Sequence, residues 1–166
     1  MAIYFFDSSA LVKRYALEEG RKWVQAITNP AVANRIHIAR IAGAEVISAF
    51  MRKVRGGGTT ATVAAKLIAD FRLDFDSQYQ IIEITEVVIA RAMTLIESHK
   101  LRGYDGVQLA AALELNDLVL SAGMPILGVP ALTLASADGD LNSAGVAEGL
   151  ILEDPRTHLH SGDKTT

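Results

Sequence analysis

The chain has 166 residues, no cysteine, a net charge of −3 and half of its residues hydrophobic. That length fits one domain with a real core, and the missing cysteines exclude disulfides, thiolate zinc sites and Cys nucleophiles. Mean hydropathy of +0.25 argues against disorder, no apolar run reaches the roughly 18–20 residues needed to span a bilayer, and no signal peptide is evident, so a cytoplasmic protein is expected.

Elements follow in chain order. IYFF (3–6) is short, continuous and apolar, as a buried strand is. Ser8 or Ser9 caps a helix expected to run to about Glu19. RKWVQAIT (21–28) is a second helix, ended by Asn29-Pro30. A short strand is expected over 35–39. IAGAEVISAFMRKVR (41–55) has helical spacing, and GGG (56–58) stops it. The next helix covers 59–75 with a threonine cap, and YQIIEI (79–84) is a strand. Thr85 caps a helix over 85–100, and Asp105 begins an Ala- and Leu-rich helix to about Leu120. Gly123, Pro125, Gly128 and Pro130 make a breaker-rich connection. ALTLAS (131–136) is a strand, 138–149 a helix and LILED (150–154) a last strand. Strands alternating with helices predict a three-layer α/β/α sandwich around a mainly parallel sheet. A single domain is expected over 1–155, with a polar tail over 156–166. GGG is a turn and no phosphate loop, since no Gly-Lys-Ser/Thr follows it.

Four carboxylates stand in unusual places. Asp7 and Asp138 each follow an apolar strand, where open α/β sheets bind ligands. Taken alone, each reads as a helix N-cap or first-turn acid. Glu45 shares a helix face with Ile38, Ile41, Ala42, Ser48 and Ala49, where an unpaired acid is costly. An ion pair with Arg52 or Arg40 is the alternative. Asp105 shares its face with Gln108, Leu109, Ala112 and Leu113, and capping is its alternative. Converging carboxylates repel, and a hard divalent cation removes the conflict. Oxygen-only ligation suits Mg²⁺ or Mn²⁺, and the chemistry implied is phosphodiester hydrolysis.

Basic residues cluster over 35–55, where Arg35, Arg40, Arg52, Lys53 and Arg55 face one acid. Arg40, Arg52, Lys53 and Arg55 are candidate phosphate contacts, with a solvated helix face as the alternative. Lys13 and Arg14 contact phosphates, a partner or only water. Trp23 and Tyr15 suit core or dimer packing. His37 and His99 are isolated, and His158 and His160 form an H-x-H in the expected tail.

The stretches FFDSSALVKRY (5–15), AEVISAF (44–50), LRGYDGVQLAAAL (101–113), LASADGDLNSAG (134–145) and LILEDP (150–155) resemble the PIN-domain family, and within it the VapC-type toxins of bacterial toxin–antitoxin pairs. The resemblance covers residues 1–155. It implies that Asp7, Glu45, Asp105 and Asp138 are the catalytic, metal-binding acids, with Asp140 supplementing or replacing Asp138. Ser9 and Ser136 fall at supporting hydroxyl positions. It further implies Mg²⁺- or Mn²⁺-dependent endoribonuclease activity on RNA, a homodimer and a small cognate antitoxin. Ala39 and Ala42 depart from the family pattern, which often places Ser or Thr there. Rival readings are an inactive PIN-like protein-binding module, a phosphoaspartyl phosphatase and a receiver-like signalling domain. The last two want a second acid near Asp7, and position nine is Ser.

Overall fold

The computed structural model describes residues 1–123 and 131–158. Five parallel strands form one sheet: β1 (Ile3–Phe6), β2 (Arg35–Ala39), β3 (Gln80–Ile82), β4 (Thr133–Ala135) and β5 (Ile151–Glu153), in the order β3-β2-β1-β4-β5. Phe5 aligns with His37 on one side and Leu134 on the other, which puts β1 in the middle. Seven helices are described: α1 (Ser8–Leu11), α2 (Arg21–Ile27), α3 (Ala42–Arg55), α4 (Ala61–Ser77), α5 (Glu86–Ser98), α6 (Gly103–Ser121) and α7 (Gly139–Ala147). This is the expected α/β/α sandwich, and the sheet is wholly parallel.

Side chains alternate across a strand, so the continuous apolar run of β1 feeds two cores. Ile3 and Phe5 join Leu95, Leu109, Leu113, Leu134 and Leu141 on the face covered by α5, α6 and α7. Phe6 joins Leu11, Ile38, Val46, Phe50 and Phe71 on the face covered by α1, α3 and α4. Phe5 and Phe6 are both fully buried, each worth about 1.5–3 kcal/mol of transfer free energy. Between α5 and α6 the approach is close: a Cβ on Gly106 would lie 2.6 Å from Ile96 Cγ1.

Thr60 and Thr85 cap α4 and α5 as expected. The helix after β1 is shorter than expected. It ends at Leu11, continues as a 3₁₀ turn over Val12–Arg14, and is capped by Asp7 instead of Ser8 or Ser9. Tertiary contacts explain the early stop. The Tyr15 ring packs edge-on against Phe50 and Phe71, and its hydroxyl donates to Asp74 at 2.8 Å. The breaker-rich connection lies mostly outside the described residues, and Gly123, at its start, has a φ of 65°. The expected tail begins inside a 3₁₀ turn, Pro155–Thr157, whose Pro155 is buried. His158 then stacks on Trp23 at 4.4 Å, while His160 lies outside the described residues. No described helix is long and apolar enough to cross a membrane.

Candidate active site

Strand order reverses between β1 and β4, and their carboxyl ends open one crevice. Asp7 N–H donates to Ala135 O at 3.1 Å, which fixes the two ends side by side. Asp7 is 5% exposed. Its Oδ1 accepts from Ala10 N–H at 3.0 Å and from the Ser9 hydroxyl at 2.9 Å. Burial pushes its carboxyl up to about 7, against those hydrogen bonds and with a smaller push from the Asp138 charge. On the β4 side, Ser136 Oγ accepts from Asp138 N–H at 3.0 Å, and Asp138 Oδ1 caps α7 by accepting from Leu141 N–H at 3.0 Å. Capping and site placement are therefore compatible for both residues. Each N-cap carboxylate is held rigidly at a strand end.

Glu45 enters from the first turn of α3. The alternative ion pair, with Arg52 or Arg40, does not form. Arg40 pairs with Glu83, and Arg52 donates to Ser48 Oγ at 3.0 Å. Glu45 Oε2 instead accepts from Ser8 Oγ and from Gln108 Nε2, both at 2.6 Å. Asp105 sits in the first turn of α6, where its Oδ2 accepts from Arg102 N–H at 3.2 Å. Burial raises its pKa, and the charges of Asp138 and Glu45 add to the rise.

Asp7, Glu45, Asp105 and Asp138 line one cavity of about 880 Å³. Asp140 is not in that lining; it lies 3.3 Å from Lys100 Nζ at the surface. Among the described residues, no three His, Asp or Glu side chains form a ready-made cation site. The donor chemistry nevertheless fits a hard divalent cation. The acids offer oxygen only, and a buried carboxyl held near 7 gains most from a neighbouring positive charge.

Basic side chains share the lining: Lys13, Arg52, Lys53, Arg102 and Arg156. Lys13 is 6% exposed, and Glu18 bridges it at 3.3 Å to Lys53 at 2.5 Å. Three candidate RNA contacts fall elsewhere. Arg40 is held by Glu83, and Arg55 is exposed at the end of α3, outside the cavity. Arg14 is tied to Asp74 at 3.0 Å and Gln78 at 2.7 Å, beside a separate depression near Thr28. Sequence reasoning missed Ser8, Gln108, Arg102 and Arg156. Only Gln108 carried a signal, as the one polar residue on an otherwise apolar helix face.

The PIN-domain family profile matches residues 4–124. Ribonuclease VapC45 of Mycobacterium tuberculosis is 30% identical over 149 residues, which cover 90% of this chain and 93% of that protein. Ribonuclease VapC49 of the same species matches with the same figures. The crystal structure of VapBC2 from Rickettsia felis, bound to a DNA fragment from its promoter, superposes with a TM-score of 0.61. It covers 92% of this chain and 98% of that one at 15% identity, a likeness of fold. Profile, relatives and fold agree: the chain belongs to the PIN-domain family.

Proposed function

We propose that this protein is the ribonuclease toxin of a toxin–antitoxin pair and hydrolyses RNA phosphodiester bonds. One observation carries the reading. Four acids spread from position 7 to position 138 line a single cavity, at the point where strand order reverses, together with five basic side chains. The two Mycobacterium tuberculosis relatives, both named ribonucleases, support it.

Asp7, Glu45, Asp105 and Asp138 would hold Mg²⁺ or Mn²⁺. When bound, the cation supplies a Lewis acid for a phosphoryl oxygen and lowers the pKa of water. The chain's own residues do the rest. Ser9 and Ala10 orient Asp7, and Ser136 fixes the loop that carries Asp138. Arg52, Lys53, Arg102 and Arg156 receive the RNA backbone, since guanidinium forks and ammonium groups match phosphate oxygens. Lys13 reaches phosphate only where the Glu18 bridge opens, because it is buried against that acid. A small antitoxin, a homodimer and a cytoplasmic setting belong to the same proposal.

The test is cleavage of total RNA by purified protein, with EDTA and after Mg²⁺ or Mn²⁺ is restored. The proposal predicts fragments with either cation, none in EDTA and none from Asp7→Asn. EDTA-resistant cleavage would overturn the cation assignment. Absence of RNA cleavage under every condition would overturn the ribonuclease reading.

A further inference from the structure

We propose that Ser8 and Gln108 are positioning residues for Glu45: they grip one of its carboxylate oxygens, leave the other for the cation, and thereby set cation affinity. The inference rests on the reading above, in which Glu45 is a cation ligand.

Three side chains from three helices close a ring. The Ser8 hydroxyl donates to Glu45 Oε2 at 2.6 Å. One Gln108 amide hydrogen goes to the same oxygen at 2.6 Å. Gln108 Nε2 also donates to Ser8 Oγ at 3.0 Å, so the three groups are mutually hydrogen-bonded. No arginine or lysine contributes, because Arg40 and Arg52 bond to Glu83 and Ser48.

The orientation of the Gln108 amide is forced. Gln108 is 2% exposed, and its Oε1 is buried without a hydrogen-bond partner among the described residues. A buried amide normally turns to satisfy its carbonyl. Here a half-turn would bring that carbonyl against Glu45 Oε2, acceptor facing acceptor. The unpartnered oxygen is the cost of aiming the amide nitrogen at Glu45 and Ser8. On the same helix Leu109 and Ala112 are fully buried, so the face that carries Gln108 is core-like.

Such a ring matters more for a ligand than for a fold. Glu45 is a long, half-buried side chain that lines the cavity, and unrestrained it would sample several rotamers. Fixing one oxygen confines the other to a narrow arc, which is how partners beyond the ligands themselves raise metal affinity.

The test is calorimetric titration of the full chain with Mn²⁺, with melting in EDTA measured alongside. Wild type and Ser8→Thr, which keeps the hydroxyl, should bind alike. Ser8→Ala and Gln108→Met should each bind about 10–100-fold more weakly. If Gln108→Met fails to fold, Ser8→Ala, on a half-buried side chain at the start of α1, carries the comparison. Variants that lose melting temperature yet bind Mn²⁺ as wild type does would overturn the clamp and leave the cation site standing. A wild type that binds no Mn²⁺ would overturn both.

Discussion

The Ser9 hydroxyl accepts a hydrogen bond from Ala137 N–H at 2.8 Å and donates to Asp7 Oδ1 at 2.9 Å. One side chain thus ties the end of β1 to the end of β4 and sets the distance between two acids that stand far apart in the sequence. Ser9→Ala would leave Ala137 N–H without its partner, at a cost of about 1–3 kcal/mol. Urea denaturation should show that loss, and RNA cleavage should fall as Asp7 loses a hydrogen bond. Unchanged stability would mean that water replaces the hydroxyl.

Asp7 gives the metal-free protein a distinctive pH dependence. Its folded pKa, about 7, lies above the ordinary carboxylate value of 3.8. Between these values the folded state holds a proton that the unfolded state has lost. Its contribution to stability is complete below about pH 4 and is lost as pH rises through about 7, at most about 4 kcal/mol. His37 acts in the opposite sense, because burial lowers its pKa to about 4. Its contribution is present above pH 6.5 and is lost as pH falls. The two slopes overlap, so the informative quantity is the stability difference between wild type and Asp7→Asn in EDTA. That difference should shift in favour of the variant as pH rises from about 4 to about 7.

Arg156 lines the cavity of the four acids from the 3₁₀ turn after β5, held by Asp154 at 2.6 Å. Arg156→Ala, in the cleavage-deficient Asp7→Asn background, should weaken single-stranded RNA binding. It should also lower the slope of log affinity against log salt by about 0.7, one phosphate contact. An unchanged slope would place Arg156 outside the RNA path.

Gly20 underlies that turn. Its φ is +84°, and a Cβ there would lie 2.3 Å from Pro155 O. Gly20→Ala must therefore displace Pro155 and the Arg156 that follows it, besides straining its own backbone. We expect a stability loss of about 1–3 kcal/mol together with the RNA-binding defect of Arg156→Ala. A stability loss with full RNA affinity would show that the turn's position is irrelevant to binding.

The fold was legible wherever local pattern and tertiary demand agree. β1 is recognisable because burial on both faces needs an unbroken apolar run, and α4 and α5 because Thr60 and Thr85 cap them. The helix after β1 was misjudged because Tyr15 answers to Asp74 and Phe71, which local spacing does not reveal. The acids were legible for a related reason: a carboxylate at a strand end or on an apolar face violates a local rule. Asp140 violates none, and it lies beside Lys100 at the surface. Nothing local marks Arg156 or the tie between Ser8 and Gln108, because their partners arrive through the sheet topology. Arg14 shows the limit of charge alone, since a basic residue beside a site motif can pair with Asp74 outside the cavity.

The central claim is that Asp7, Glu45, Asp105 and Asp138 form one hydrolytic centre. Asp7→Asn tests it most directly, because an asparagine oxygen can still cap α1 by accepting from Ala10 N–H, so the fold survives. The measurement is single-turnover RNA cleavage by wild type and Asp7→Asn at saturating Mn²⁺. The account predicts at least a 100-fold slower rate for the variant, with native circular dichroism retained. Equal rates would contradict it.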